Sequence, residues 1–104
     1  MPDRPRQKPE PLAVHHEDKE GEGAFYVERG GERLGELTYV KPGPARAVIE
    51  HTNVSEVLRG QGVARKLVDA TVAWARQSGV KLVPVCTYAK KVLENDPSCR
   101  DVLV

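Results

Sequence analysis

The spacing of hydrophobic and polar residues changes near residue 60, and this change separates strand-like from helix-like sequence. Residues 46–54, RAVIEHTNV, are rich in β-branched side chains and partly alternate between apolar and polar positions, which predicts a strand. From Val63 onward, apolar residues recur at positions 63/64, 67/68, 71 and 74/75, which is the spacing of one helix face. Gly79, which follows Ser78, is a typical residue for ending such a helix.

Three further strands are predicted before residue 46, and one after the long helix. The earlier three are LAVHH (12–16), AFYVER (24–29) and RLGELTYV (33–40). A polar turn, EDKEGEG (17–23), separates the first two, and KPGP (41–44) is the strongest structure breaker in the chain. After the helix, VKLVPVCTY (80–88) predicts a short buried strand in which Pro84 indicates an edge, an end or a bulge.

The predicted order of elements is β-β-β-β-α-β-α, because a short helix, AKKVLEN (89–95), follows the last strand. An antiparallel meander with one crossover helix into a final strand is an α+β architecture. The 104 residues predict a single domain, which we expect to span residues 11–104. Residues 1–10, MPDRPRQKPE, are rich in proline and charge and predict a disordered tail. The apolar end of CRDVLV (99–104) is expected to pack back onto the sheet.

Composition and charge argue against nucleic-acid-binding and membrane proteins. The net charge is +1, so only a local basic cluster would favour a nucleic-acid partner. No apolar run approaches the roughly 20 residues that span a bilayer, and the N-terminus lacks the apolar segment of a secretory signal. We therefore expect a cytoplasmic protein in which Cys86 and Cys99 are thiols rather than a disulfide.

The glycine-containing turn VLRGQGVARKLV (57–68) joins the fourth strand to the long helix. A helix N-terminus presents unpaired N–H groups and the positive end of its dipole, and glycines beside it let those amides approach an anion closely. Arg59, Arg65 and Lys66 add positive charge, so the turn is a candidate pyrophosphate site. Alternatively, Gly60 and Gly62 only make a tight strand-to-helix connection. A dinucleotide-binding fold fits poorly, because its glycine turn follows the first strand.

The segment RGQGVA (59–64) resembles the R/Q-x-x-G-x-G/A loop that binds acyl-CoA pyrophosphate in the GNAT superfamily of N-acetyltransferases, with Arg59, Gly62 and Ala64 on the defined positions. Together with HTNV (51–54) before it, and PVCTY (84–88) and Asp-Pro after it, the segment is similar to the very short, single-domain branch of that superfamily, the minimal N-acetyltransferase-domain family. The similarity covers roughly residues 12–104. Cys99 departs from it by standing where that branch has an aromatic residue, which concerns local packing more than chemistry.

This resemblance implies a GNAT-like fold in which acetyl-CoA binds between strands four and five, with no metal. The pantetheine arm would bond to backbone amides near Thr52 and Val54. Tyr88, Lys90 and Lys91 would contact the cofactor from the far side, although the lysines fit a solvated helix face equally well. The pyrophosphate would lie over Arg59, Gly60, Gln61, Gly62, Val63, Ala64 and Arg65.

Two residues are candidates for catalysis, His51 and Cys86. Imidazole groups titrate near neutral pH, which suits a general base that takes a proton from an amine. Strand alternation would send the side chains of Glu50 and His51 to opposite faces of the sheet, so only one of them can face the acetyl group. The resemblance favours His51 as the general base. A histidine that only makes hydrogen bonds within the sheet is an equal alternative. The Cys86 thiolate offers a two-step route, with His51 as a candidate activating partner. Free cysteines are more commonly small buried hydrophobes.

Three functions are compatible with these residues. The first is an acetyl-CoA-dependent N-acetyltransferase that acts on a primary amine, in a small molecule or a protein lysine. The second is a non-catalytic acyl-CoA-binding module. The third, a nucleic-acid-binding domain, is weakest, because no set of stacking aromatic residues accompanies the lysines. We expect a monomer or a weak dimer.

Overall fold

Five strands form one mixed sheet, and they lie side by side in the order in which they occur along the chain. The computed structural model describes residues 12–104, so the tail predicted for residues 1–10 lies outside the described residues. Strands β1 to β4 are antiparallel neighbours, and β5 runs parallel to β4. The elements are β1 (His15–Lys19), β2 (Glu22–Arg29), β3 (Glu32–Gly43), β4 (Arg46–Val54), α1 (Val63–Ser78), β5 (Lys81–Pro84) and α2 (Thr87–Glu94). This order confirms the predicted β-β-β-β-α-β-α arrangement and the α+β class.

The bounds of β1, β3 and β5 differ most from the predicted ones, and β2 begins two residues earlier, at Glu22. Strand β1 covers His15–Lys19 instead of 12–16, because its polar residues pair with β2 from His15–Tyr26 to Lys19–Glu22. Strand β3 continues through the predicted breaker to Gly43, since its pairing with β4 is irregular around Pro42, where a missing N–H is tolerated. Strand β5 ends at Pro84, well short of residue 88, because the chain turns there into α2.

Helix α1 packs one apolar face onto the sheet and forms the centre of the core. Its buried residues alternate with exposed charged ones at helical spacing, and Gly79 ends it in a left-handed conformation, as predicted. The one polar residue among the buried set, Thr71, donates its hydroxyl hydrogen to the carbonyl of Leu67 at 2.8 Å. Trp74, at position 74 of the predicted apolar face, packs edge-on against Phe25, with ring centroids 5.7 Å apart.

The C-terminal segment closes the outer edge of β5. A 3-10 segment, Pro97–Val102, follows α2, and Leu103 then forms a parallel bridge to Leu82. The predicted return of the C-terminus onto the sheet is therefore confirmed. Cys99 is buried in the core on this segment, which raises the pKa of its thiol. Both cysteines are free thiols.

Across residues 12–104, none of the helices combines the length and the apolar character that crossing a bilayer requires.

Candidate functional site

Strands β4 and β5 pair over only four residues, and beyond that point they separate. The last pair in register is Ile49 with Pro84, whereas β4 continues for five more residues to Val54. The carbonyl of Ile49 accepts hydrogen bonds from the amides of both Val85 and Cys86, each at 3.0 Å. The chain after β5 therefore turns away at this carbonyl, and the edge of β4 that follows is left without a neighbouring strand in the described chain.

Two backbone positions on β4 face this open edge. The backbone amide of Ser55 donates a hydrogen bond to the carbonyl of Leu34 in β3 at 2.7 Å. Because successive amides along a strand point to opposite sides, the amide of the preceding Val54 points away from β3. Thr52 pairs with Leu37 on β3, and Val54 pairs with Gly35. Because Thr52 lies two residues before Val54, its amide points to the same side as that of Val54. The amides of Thr52 and Val54, the two positions where the resemblance implies contact with pantetheine, therefore point into the gap.

A β-bulge interrupts β4 at Glu50. Thr38 pairs with His51 and Tyr39 pairs with Ile49, so Glu50 has no partner on β3. The expectation that Glu50 and His51 face opposite sides depended on unbroken alternation, and the bulge breaks it. His51 shares a pair with Thr38, and Glu50 and Thr38 line the same cavity of about 200 Å³. Both residues are thus placed toward the sheet face opposite α1.

The turn after β4 leaves a group of backbone amides unpaired. Leu58 is buried and anchors the turn, Arg59 donates its amide to Glu56, and Gln61 donates to Leu58. The first amide of α1 that donates within the helix is that of Lys66, to the carbonyl of Gly62 at 3.1 Å. Within residues 12–104, the amides of Val63, Ala64 and Arg65 therefore have no hydrogen-bond acceptor, and they lie at the positive end of the helix dipole.

Gly60 and Gly62 are required by the conformation of this turn. Their φ angles are 80° and 69°, in the left-handed region that other residues rarely adopt. A side-chain carbon built on either glycine would meet no atom within 4 Å, so the space outside the turn is open. The tight-connection interpretation and the anion-site interpretation are therefore both compatible with these two glycines.

The turn forms one wall of a cavity of about 230 Å³ between the end of β4, the start of α1, and α2. Most of the residues expected to contact the cofactor line it: Val54, Arg59, Gly60, Gly62, Val63, Ala64, Arg65 and Tyr88. Ser55, Glu56 and Leu58 also line this cavity, and they were not identified from the sequence. The only feature that could have indicated them is their position between the fourth strand and the glycine-containing turn. Of the other expected residues, Thr52 lies farther along the open edge, and Gln61, Lys90 and Lys91 are exposed outside the lining.

The arginines of the turn are partly neutralised by carboxylates. Arg59 lies 3.5 Å from a carboxylate oxygen of Glu56, with both side chains largely exposed. Arg65 contacts Asp69 and Asp96, each at 2.9 Å, and these carboxylates raise its pKa. Arg65 therefore ties α1 to the C-terminal segment through its side chain.

Cys86 lies directly before α2 and is half-buried, with its Sγ atom 3.4 Å from the Thr52 hydroxyl oxygen. Burial acts to raise the pKa of this thiol, but the Thr52 hydroxyl and the amides of Ala89, Tyr88 and Thr52 outweigh that effect, so its pKa lies below the ordinary value. No hydrogen bond joins Cys86 and His51 in the described chain, and His51 is not among the groups that shift the pKa of Cys86. The structure thus does not bring together the two side chains that sequence analysis paired.

The described residues include no group of three histidine, cysteine or acidic side chains that could hold a metal ion.

A family model described as GCN5-related N-acetyl-transferase matches residues 24–102, which is most of the chain. The chain belongs to this family. A GCN5-like protein of Staphylococcus aureus, with a solution structure from NMR, is 34% identical, with a TM-score of 0.70, and the match covers 89% of this chain and 88% of that one. Membership confirms the resemblance proposed from the sequence. No curated protein matched the chain.

Longer GCN5-related acetyltransferases share the fold at lower identity. A ribosomal-protein-alanine N-acetyltransferase of Brucella melitensis is 21% identical with a TM-score of 0.61, and the match covers 74% of this chain and 62% of that one. A GNAT family acetyltransferase of Elizabethkingia anophelis, with acetyl-CoA bound, is 16% identical with a TM-score of 0.56, covering 72% and 52%. This chain therefore corresponds to part of these longer folds.

Proposed function

We propose that this protein is an acetyl-CoA-dependent N-acetyltransferase that moves an acetyl group to a primary amine of a small molecule or a protein lysine. The observation that carries the proposal is the set of free amides at the start of α1, which opens on a cavity reaching the unpaired edge of β4. Family membership supports acetyl transfer, and the bound acetyl-CoA of the Elizabethkingia protein supports the co-substrate.

The proposed binding mode assigns a different group of residues to each part of acetyl-CoA. The amides of Gly60 and of residues 62–65 would hold the diphosphate, because fixed N–H groups at a helix N-terminus favour an anion without needing side-chain charge. The open edge of β4 at Thr52 and Val54 would pair with the amide groups of the pantetheine arm, as a strand pairs with an extended chain. Tyr88 would pack against the arm from α2, where its side chain is 37% exposed.

The acceptor amine is proposed to approach from the sheet face opposite α1. A protonated amine must lose a proton before its nitrogen can attack the thioester carbonyl. His51, with Glu50 beside it in the bulge, is placed on that face, and both side chains are exposed. We therefore assign His51 the role of general base in the transfer to the amine.

A non-catalytic acyl-CoA-binding module is the alternative, because it would use the same loop and the same open strand edge. The variants His51→Ala and Cys86→Ala separate the two functions. We expect each to lower acetyl transfer in an amine-acceptor screen about 100-fold or more, as loss of an acid–base or nucleophilic group does, while calorimetric titration with CoA shows nearly unchanged affinity. Unchanged turnover in both variants would remove these residues from the mechanism, and wild-type protein that binds acetyl-CoA but acetylates no amine in the screen would favour the binding module.

A further inference from the structure

Strands β1 to β4 line a cavity of about 200 Å³ that lies apart from the turn and the start of α1. No helix of the described chain contributes to its lining. Ala24 and Thr38, which pair across β2 and β3, are small side chains in this lining. Its charged residues are Glu17, Lys19, Glu22, Arg33, Glu36 and Glu50.

The charge of this cavity is opposite in sign to the net charge of the whole chain, which is +1. Four carboxylates line it against two cationic side chains, so two negative charges are left unbalanced. Arg33 lies between two of the carboxylates, 2.8 Å from an oxygen of Glu17 and 3.3 Å from an oxygen of Glu36. Neither Glu22 nor Glu50 forms an ion pair among the described residues. The lining is therefore complementary to a cation.

Thr38 is a second, independent feature of this cavity that points to a bound donor group. Its hydroxyl oxygen is buried and has no hydrogen-bond partner in the part of the chain that the structure describes. Buried hydroxyl groups normally have a partner, because leaving one unpaired costs free energy. Thr71, the buried threonine of α1, follows this rule by donating to a backbone carbonyl. The Thr38 oxygen is thus an acceptor that nothing in the described chain uses.

The cavity adjoins the proposed reaction site. Glu50 lines it and directly precedes His51, the proposed general base, in the bulge of β4. His51 also pairs with Thr38, so both side chains lie on the same face of the sheet. A second cavity, of about 340 Å³, shares lining residues with both this one and the cavity beside α1. An acceptor whose amine reaches His51 would therefore extend its remaining length over these carboxylates.

The lining accepts more hydrogen bonds than it can donate. Ionised carboxylates only accept hydrogen bonds, and β2 and β3, which supply most of the lining, are paired with other strands on both sides. Protonated aliphatic amines only donate, whereas a peptide also carries carbonyl groups that need donors. We propose that the acceptor is a linear di- or polyamine that places one ammonium group against Glu22 and Glu50 and its reacting amine at His51. The inference rests on the proposed function and names the acceptor class.

The reaction leaves the second ammonium group of such an acceptor unchanged. The neutral amine at His51 forms an N–C bond to the acetyl carbonyl carbon, the S–C bond of the thioester breaks, and the proton that the nitrogen loses ends on the CoA sulfur. The carboxylates of the cavity contact only the unreacted ammonium group. Their loss should therefore raise KM for the acceptor more than it lowers kcat.

The first test compares kcat/KM for spermidine with kcat/KM for butylamine, which has a single amine. We expect a wild-type ratio of about ten or more. The ratio should fall about three- to tenfold in Glu22→Gln and in Glu50→Gln, since each loses a charge-assisted hydrogen bond at an exposed side chain. Comparing the same two amines in every variant cancels the difference in their basicity. Glu94→Gln, which removes an exposed carboxylate from α2, is the control and should keep the wild-type ratio.

The second test is an amide-resolved NMR titration with spermidine in the absence of acetyl-CoA, which measures the cavity without turnover. We expect saturable shifts at Ala24, Thr38 and Glu50 in the wild type, and their loss in the double variant Glu22→Gln/Glu50→Gln.

Three results would overturn the inference and leave the proposed function intact. They are the absence of saturable shifts in the cavity, an equal spermidine-to-butylamine ratio in the wild type and Glu22→Gln, and a higher kcat/KM for a lysine-containing peptide than for spermidine, which would assign the face to a polypeptide. Wild-type protein that binds both acetyl-CoA and spermidine but acetylates no amine would overturn the proposed function, whereas the cation site would stand.

Discussion

Gly62 directly precedes helix α1 as its N-cap, and it meets both a structural and a proposed functional requirement. Its φ of 69° lies in the left-handed region, and its carbonyl accepts the first hydrogen bond of the helix. The sequence predicted that a glycine was needed here, but it could not separate backbone conformation from the approach of a ligand. A comparison with a glycine that has the same conformation and no neighbouring cavity can separate them.

Gly30 provides that comparison, because its φ is 62° and a side-chain carbon there would also meet no atom within 4 Å. We expect Gly62→Ala and Gly30→Ala each to lower the free energy of unfolding by about 1–2 kcal/mol, the cost of a left-handed non-glycine residue. Only Gly62→Ala should also weaken CoA binding, because it distorts the free amides. Chemical denaturation and calorimetric titration measure the two effects. Equal CoA affinity in both variants would show that the glycine serves the turn alone.

Thr52 shows where single-residue prediction from sequence stops. Its proposed place near the cofactor comes from the family resemblance, but its contact with Cys86 joins residues 34 positions apart and depends on the face that each strand residue presents. The bulge at Glu50 decides that face, and no glycine or proline at this position announces it. A one-residue irregularity of this kind changes the face of the sheet on which every later side chain of the strand lies.

Among the elements, β4 and α1 were predicted with their observed bounds, because each has a sharp signal at both ends. Strand β4 lies between a proline-glycine turn and the loop, and α1 runs from Val63 to the residue before Gly79. Strand β1 was misplaced because its sequence, HHEDK, has little apolar content and becomes a strand by pairing with β2. Pairing with a distant partner overrides local composition in such cases.

Helix α1 is joined to the C-terminal segment by ion pairs, and one of them makes stability depend on pH. Hydrogen bonds from Ser98, followed by the charge of Arg65, hold the pKa of Asp96 below its usual range. A carboxyl group with a lowered pKa in the folded state contributes stability above its ordinary pKa of about 4, and that contribution is lost as the pH falls through the folded-state value.

We therefore expect the free energy of unfolding to fall as the pH is lowered below about 4, the usual range of aspartate pKa values, and to fall less steeply in Asp96→Asn. Urea denaturation at a series of pH values measures the slope. The matched control is Glu94→Gln, which removes an exposed carboxylate from α2 and should keep the wild-type slope. Identical slopes in Asp96→Asn and the wild type would contradict the account of Asp96.

For the whole molecule, the candidate site depends on the way the topology joins segments that are distant in sequence. The end of β4, the turn and the start of α1 are consecutive. Tyr88 reaches the cavity, and Cys86 reaches Thr52, only because β5 returns parallel to β4 and stops early. The order of elements could be predicted from sequence periodicity, whereas the proposed cofactor comes from the family resemblance. The separation of β4 from β5 could not, because the sequence of 80–88 predicts a longer strand than the structure contains.

The central claim is that backbone amides at the start of α1 hold the diphosphate of CoA, and an amide-resolved NMR titration of the protein with CoA tests it most directly. The account predicts saturable shifts that are largest at Gly60, Gly62, Val63 and Ala64, with a second group at Thr52 and Val54. Pantetheine, which lacks the diphosphate, should shift the second group only. The absence of saturable shifts with CoA, or shifts confined to residues away from the turn, would contradict the account.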